Sequence, residues 1–284
     1  MDIDARTQFC GVIGNPVGHS LSPAIHNAAF RTLELNFVYL AWQVEAIGDA
    51  IKGLRALGNF RGASVTIPYK VAAIPFLDHV EPTAQRIGAI NTIVAEKGAL
   101  TGYNTDATGA LRALREGGVE LKGRRIVVLG SGGAARAITF ALAAESGAEK
   151  LTLLGIEDAE RTRLAQDVCA TTTVTVEDSY LDESALRRVL PAAHVLIHCT
   201  PVGMSPKVET TCVPASLLHA DLAVMDIVYN PRETRLLRDA KRAGCKTIPG
   251  LDMFLNQAVA QCELWTNQPA PVEVMRKVLE SHFT

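Results

Sequence analysis

Short apolar runs bounded by turn residues alternate with segments of helical periodicity along the whole chain of 284 residues. That alternation is the pattern of parallel strands joined by helical crossovers, and it predicts an α/β protein. In the first third, strands are expected at 9–13, 37–44, 63–67 and 91–95, with helices at 23–33, 47–57 and 83–87. A helix over 107–116 leads through Gly117 and Gly118 into a second, self-contained series with strands at 125–129, 150–154, 174–176, 194–198 and 222–227. Pro249 and Gly250 interrupt this series, and two helices, at 253–265 and 272–281, finish the chain without a strand of their own. Their apolar faces must be buried on something already built. Returning to the first domain would give two crossings, near 106 and 249, a common way to frame a cleft. The expected division is a first α/β domain over 1–106 completed by 249–284, and a doubly wound domain over 107–248. No internal repeat breaks the pattern.

Composition narrows the classes. Hydrophobic residues make up 48% and charged residues 20%, which excludes a disordered chain, and an aromatic share of 5% leaves the core to aliphatic side chains. Twenty-eight Lys and Arg stand against 30 Asp and Glu, a formal net charge of -2 with both signs scattered, so no broad field exists to hold a polyanion and nucleic acid is not an expected partner. Apolar runs such as 126–129 and 195–197 fall far short of the ~18 residues a spanning helix needs, so no membrane is expected either. The opening Met1-Asp2-Ile3-Asp4 lacks the basic and apolar stretches of a secretory signal, and the cytoplasm is the expected location. The cysteines at 10, 169, 199, 212, 245 and 262 have neither the close spacing nor the neighbouring His of a metal site. They are expected to serve as small hydrophobes, with no metal and no disulfide framework.

The first chemical signal lies at 124–137, where Ile126-Val127-Val128-Leu129 runs straight into Gly130-Ser131-Gly132-Gly133-Ala134-Ala135. Gly130 permits a tight turn, Gly132 lets the backbone approach a pyrophosphate, and Ala135 replaces the third glycine where helix packs on strand. The pyrophosphate would sit on the helix amino terminus. After the next strand come Gly155-Ile156-Glu157-Asp158. A carboxylate there accepts from a ribose 2'-hydroxyl, whereas a 2'-phosphate calls for Arg. Asp158 could equally cap the following helix, and Arg161 and Arg163 leave a 2'-phosphate open. The expected cofactor residues are therefore Gly130, Ser131, Gly132, Gly133, Ala134, Glu157 and Asp158, for NAD or NADP.

Four segments of the first domain carry polar residues on strand ends and loops: Gly14 to Pro23, Ser64 to Lys70, Gly88 to Thr92 and Gly102 to Asp106. Together with the glycine turn and the late Gly250-Leu251-Asp252-Met253-Phe254-Leu255-Asn256-Gln257-Ala258, they occur in the order of the shikimate dehydrogenase family. From about 9 to 265 the chain resembles that family, which includes the quinate/shikimate dehydrogenases. The resemblance implies reversible reduction of the 3-keto group of 3-dehydroshikimate by a nicotinamide cofactor, in a cleft between two α/β domains. It implies that Ser20 and Ser22 bind the substrate carboxylate, that Thr66, Asn91 and Gln257 bind hydroxyls, and that Lys70 and Asp106 form the catalytic pair. Tyr229 and Tyr39 are weaker carry-overs, and Gly250 falls to the cofactor side. Read without the family, Ser20 or Ser22 caps a helix, Asp106 caps another, Asn91 satisfies a turn and Lys70 is a solvated lysine. His19 and His26 are expected to be structural.

The chemistry explains the company these residues keep, because a carbonyl oxygen becoming an alkoxide needs a proton donor and a positive charge, and lysine supplies both. A neighbouring carboxylate would hold the ammonium while desolvation favours the neutral amine, so the protonation state of Lys70 stays open. Two departures from the family pattern stand out. Ala107 follows Asp106 where glycine is frequent, and Gly155-Ile156-Glu157 stands where NADP-using members carry Asn-Arg-Thr. NAD is therefore favoured over NADP. A quinate or quinate/shikimate dehydrogenase is the enzymatic alternative, and a catalytically silent dinucleotide-binding sensor the alternative of another class. The small-molecule substrate is the expected partner, on a monomer or a homodimer.

Overall fold

The computed structural model describes residues 3–283. The chain forms two compact units, one made of residues up to Thr105 together with those from Gln257 onward, the other of Asp106–Asn256.

The first unit is built on a six-stranded sheet. Its strands are β1 (Gln8–Gly14), β2 (Phe37–Gln43), β3 (Phe60–Val65), β4 (His79–Val80), β5 (Thr92–Glu96) and β6 (Ala99–Tyr103), in the order β2-β1-β3-β5-β6-β4. Three helices belong to this stretch of chain: α1 (Ser22–Thr32), α2 (Ile47–Arg55) and α3 (Pro82–Ile87). β1 pairs in parallel with β2 and β3, but β5 runs antiparallel to both β3 and β6. The α/β class holds, and the antiparallel β5 makes this sheet a mixed one, a detail beyond the parallel strands and crossovers that the sequence pattern predicts. β6, which the apolar pattern did not reveal, follows β5 through Lys97 and Gly98, both at positive φ (51° and 84°), the backbone of a tight hairpin. Its sequence Ala-Leu-Thr-Gly-Tyr is too short and too glycine-interrupted to stand out as a strand.

In the second unit every strand pair is parallel. The elements run α4 (Thr105–Glu116), β7 (Arg125–Leu129), α5 (Gly133–Glu145), β8 (Lys150–Gly155), α6 (Asp158–Thr171), β9 (Thr175–Tyr180), α7 (Glu183–Val189), β10 (Val195–His198), β11 (Ala223–Asp226), α8 (Arg235–Arg242) and β12 (Lys246–Pro249). The strand order is β12-β11-β10-β7-β8-β9, a doubly wound sheet whose direction of winding reverses between β7 and β10. The buried strands read as near-continuous aliphatic runs because both faces are covered. β12 escaped the sequence reading, being four residues that end in proline at the sheet's edge. Pro249 and Gly250 therefore join a last strand to a helix, α9 (Gly250–Thr266), rather than interrupting the series.

The latter part of α9 and the final helix α10 (Val272–Ser281) belong to the first unit, where α10 lies against α1. Trp265 anchors them. It is fully buried, its indole N–H donates to the Ile93 carbonyl at 3.0 Å, and its own carbonyl accepts from Arg61 Nε at 2.7 Å. Gly62 makes this approach possible, since a Cβ there would lie 2.3 Å from the indole nitrogen.

His26, on α1, is wholly buried, its ring stacked on Tyr39 at 4.6 Å and edge-on to Trp265 at 5.1 Å. Neither ring nitrogen has a hydrogen-bond partner among the described residues. Burial pushes its pKa down to about 3 from 6.5, which the neighbouring Gln261 amide only partly offsets. Between those values the unfolded chain binds the proton and the folded one refuses it, so this group's contribution is intact above about pH 6.5 and is lost as pH falls, by up to ~1.4 kcal/mol per pH unit. His26→Phe keeps the ring packing and removes the titration. Both tryptophans, Trp42 and Trp265, lie in the first unit and report its unfolding. The urea midpoint by tryptophan fluorescence is expected to fall from pH 6.5 to 4.5 in the wild type and to fall distinctly less in His26→Phe; equal slopes would assign the acid sensitivity to other groups.

Candidate functional site

In the first unit the expected substrate residues sit at strand ends and at the beginnings of helices. Leu21, not a serine, occupies the N-cap position of α1, and no side chain caps the helix. The capping alternative for Ser20 and Ser22 is corrected by this geometry. Ser22 is the buried first residue of the helix and donates its backbone N–H to Ser20 Oγ at 3.2 Å. Two hydroxyls thus accompany the positive end of an eleven-residue helix, an arrangement suited to an anion.

Thr66 follows β3 and donates its N–H to the Ile13 carbonyl at 2.9 Å, while the carbonyl of Lys70 accepts from the N–H of Ile90 at 2.8 Å. Those backbone bonds tie the Lys70 segment to β1 and to the turn before β5. Asn91, 3% exposed, is a clasp rather than a simple turn residue. Its Oδ1 accepts from the Thr105 N–H at 2.7 Å, and its Nδ2 donates to Thr105 Oγ1 at 2.9 Å. Asn104 adds a bond from its amide to the Ala89 carbonyl at 2.9 Å. Asp106 is buried within the first turn of α4, one residue past that clasp, and so lies inside the helix instead of at an N-cap. Gln257 is buried on α9.

In the second unit the glycine turn has the geometry a dinucleotide requires. Gly130 has φ +107°, and a Cβ there would lie 3.1 Å from the Cys199 carbonyl oxygen beyond β10, so the turn sits where the sheet changes winding direction. A Cβ on Gly132 would meet no protein atom within 4 Å, and α5 begins after Gly132 without a side-chain cap. Ser131 and Ala134 flank this opening, and Gly133 is the first residue of α5. The chain's own groups therefore suit a pyrophosphate laid on backbone N–H donors.

Beyond β8, Glu157 holds the N-cap position of α6 without a capping bond, and Asp158 is the first helical residue. The side chain of Asp158 pairs with Arg161 Nη1 at 2.6 Å. Arg161 is itself buried, with Nε on Asp178 at 2.8 Å and Nη1 also on the Gly155 carbonyl at 3.0 Å. The hydrogen bond that Asp178 accepts from the guanidinium raises the Arg161 pKa further. Arg163 is exposed, 3.9 Å from Asp167. Tyr229 lies against Phe254 with ring centroids 4.7 Å apart, and burial raises its phenol pKa. Gly250 is demanded by packing as well, because a Cβ would come within 2.5 Å of the Ile227 carbonyl.

Comparison with known proteins fits this geometry. Residues 12–93 match the model of the shikimate dehydrogenase substrate binding domain, and residues 250–280 that of the shikimate 5'-dehydrogenase C-terminal domain. A shikimate dehydrogenase (NADP(+)) of Moorella thermoacetica is 46% identical over 281 residues, 98% of this chain and 95% of that protein. A crystal structure of a shikimate dehydrogenase in complex with NADP+ superposes with a TM-score of 0.92 at 37% identity, covering 100% of this chain and 98% of the other. The shikimate 5-dehydrogenase of Listeria monocytogenes, in complex with shikimate and NAD, gives a TM-score of 0.92 at 36% identity and covers 98% of each chain.

One cluster lies outside every position expected from the sequence. His198 ends β10 and Asp226 ends β11, paired in register, with Nδ1 and Oδ1 2.8 Å apart. Asp226 Oδ1 also accepts from the Val228 N–H at 3.0 Å and Oδ2 from the Thr234 hydroxyl at 2.6 Å, while His198 Nε2 meets Thr200 Oγ1 at 2.5 Å. The carboxylate thus organises the segment leading to Tyr229 and the start of α8. Burial alone would lower the His198 pKa, but Asp226 and the Cys212 thiol carry it the other way, to about 9. The folded state holds this proton more tightly, so the pair's contribution is complete below about pH 6.5 and is lost as pH rises through about 9, by up to ~1.4 kcal/mol per unit. By calorimetry, the second unit's transition is expected to move down between pH 7 and 10, and His198→Gln to flatten that descent. An unchanged slope in the variant would place the alkaline limb elsewhere.

Proposed function

The chain belongs to the shikimate dehydrogenase family, and from that membership we propose that it interconverts 3-dehydroshikimate and shikimate with a nicotinamide dinucleotide. The observation that carries the reading is likeness over nearly the full chain to proteins of that activity. The bound dinucleotide supplies the carbon that gives or takes a hydride. Lys70 hands a proton to the substrate's carbonyl oxygen as negative charge develops on it, and takes that proton back in the reverse direction. Asp106 orients the ammonium and accepts from the adjoining hydroxyl. The α1 amino terminus with Ser20 and Ser22 receives the substrate carboxylate, Thr66, Asn91 and Gln257 receive hydroxyls, and Tyr229 contributes from the second unit. Gly130, Ser131, Gly132, Gly133, Ala134 and Gly250 receive the dinucleotide, with Glu157 and Asp158 at its ribose end.

NAD is the preferred cofactor in this reading. Arg161, the one buried cation beyond β8 among the described residues, already serves Asp158, Asp178 and the Gly155 carbonyl, so pairing it with a 2'-phosphate would sacrifice those bonds. Exposed Glu157 would repel the phosphate and accept from a 2'-hydroxyl.

Initial rates with shikimate and with quinate, each against NAD and NADP, test the whole reading. Shikimate with NAD is expected to give the highest kcat/KM. Faster turnover of quinate would move the chain to the quinate branch, and no turnover of either would leave a dinucleotide-binding sensor. Glu157→Ala is expected to shift the NAD/NADP ratio about threefold towards NADP, the ~0.7 kcal/mol scale of an exposed charge contact. A wild type that prefers NADP tenfold, unaffected by this change, overturns the cofactor assignment. Lys70→Ala is expected to stay folded and lose ~10² or more in kcat; retention of more than about a tenth of the activity removes Lys70 from the chemistry.

A further inference from the structure

A continuous line of buried hydrogen bonds runs beneath Asn91, wholly inside the first unit. Tyr39 Oη lies 2.6 Å from Ser64 Oγ, and Ser64 Oγ donates to Gln261 Oε1 at 2.7 Å. On its other side Gln261 Nε2 donates to Thr92 Oγ1 at 2.9 Å and to the Asn91 carbonyl at 3.2 Å. Thr92 Oγ1 then donates to Asn91 Oδ1 at 2.8 Å. Ser64, Thr92 and Gln261 are all buried.

The direction of every bond follows from Gln261, whose amide has one accepting and one donating end. The Asn91 backbone carbonyl can only accept, so the NH₂ end of Gln261 must face it and the oxygen must face Ser64. Ser64 has spent its proton on that oxygen and therefore accepts from Tyr39. Thr92 accepts from Gln261 and has its own proton to give to Asn91 Oδ1. That oxygen also receives the Thr105 N–H. Turning the Asn91 amide over would set its NH₂ against two donors, the Thr92 hydroxyl and the Thr105 N–H, in a buried place where unmade bonds cost ~1–3 kcal/mol each.

We infer that Thr92 and Gln261 are positioning residues of the substrate site, which act together with the Thr105 N–H to lock the Asn91 amide in one orientation, so that a substrate oxygen meets its Nδ2, which also serves Thr105 Oγ1, and not its carbonyl. The inference rests on the proposed reading of Asn91 as a substrate residue. A substrate hydroxyl held there accepts from Asn91 and must pass its own proton to another acceptor. Gln261 acts one step further back, by fixing the direction of the Thr92 hydroxyl.

The test is a kinetic comparison of wild type, Thr92→Val, Thr92→Ser and Gln261→Met. Valine keeps the shape of Thr92 and removes the relay, whereas serine keeps the hydroxyl. Thr92→Val is expected to raise the KM for shikimate ~10-fold, the worth of roughly one net hydrogen bond, and to leave the KM for the dinucleotide unchanged. Thr92→Ser should return close to wild type, and Gln261→Met should follow Thr92→Val. A merely structural role predicts lowered thermal midpoints with unchanged KM, and that result overturns the inference while leaving the reading of the function intact. A wild type that neither binds nor oxidises shikimate overturns both. Should Gln261→Met fail to fold, the Thr92 pair decides alone: equal KM values in the valine and serine variants reject the relay.

Discussion

The organisation of the first unit hangs on one requirement, that polar groups buried on its sheet find partners. Asn91 meets it by reaching across to Thr105, where the chain leaves β6 and begins α4. Because that junction is also where the first unit gives way to the second, the same two bonds fix the start of the helix that carries Asp106. Gln261 meets the requirement from the opposite end of the sequence, and its bonds to Asn91 and Thr92, with that of Trp265 to Ile93, tie the late helix to β5. Apolar packing draws α9 and α10 onto the sheet, but it is non-directional. The hydrogen bonds set where along β5 the helix comes to rest.

The second unit solves a different problem with different residues. Its sheet is parallel, with aliphatic central strands, and its chemistry-bearing positions are defined by what is missing. Gly130 lacks the Cβ that would strain a backbone at φ +107°, and Gly250 lacks the one that would strike Ile227. Polar residues gather at the carboxyl ends of the strands, where His198 and Asp226 close β10 and β11 and Glu157 and Asp158 follow β8. A sheet buried on both faces leaves those ends as the place to present side chains to a ligand.

How much of this was legible in the sequence follows from the range of the interactions involved. Local signals carried far. The run Ile126 to Leu129 into Gly130 located the turn and helix, because strand, turn and helix follow one another within a few residues. Boundaries failed where tertiary contacts override local pattern: β6 and β12 are strands through their neighbours, since Ala-Leu-Thr-Gly-Tyr and Lys-Thr-Ile-Pro carry little strand signal themselves. The buried histidines show the limit plainly. Burial disfavours the charged form of both, yet His26 stays neutral because the Gln261 amide offsets its desolvation only in part, while Asp226 on the neighbouring strand holds a proton on His198. The pairing of strands 28 residues apart creates that difference. Gln261 lies one helical turn beyond Gln257, a spacing visible in the sequence, but its role depends on which strand that face of α9 meets.

Charge at the end of β8, where the proposed reading puts the ribose, acts by contact and not by field. The chain's formal net charge is only -2, with both signs dispersed, so no long-range potential sorts one dinucleotide from another in solution. At the end of β8, however, Glu157, Asp158 and Glu160 are exposed in succession, and the Arg161 behind them is consumed by internal acceptors. At physiological ionic strength the influence of those carboxylates fades over ~8 Å, a distance comparable to the ribose and its substituent. In the proposed reading they leave the pyrophosphate at Gly130 to Gly133 to backbone donors and the α5 amino terminus. Discrimination would then be confined to the 2' position, separate from the affinity that every dinucleotide shares.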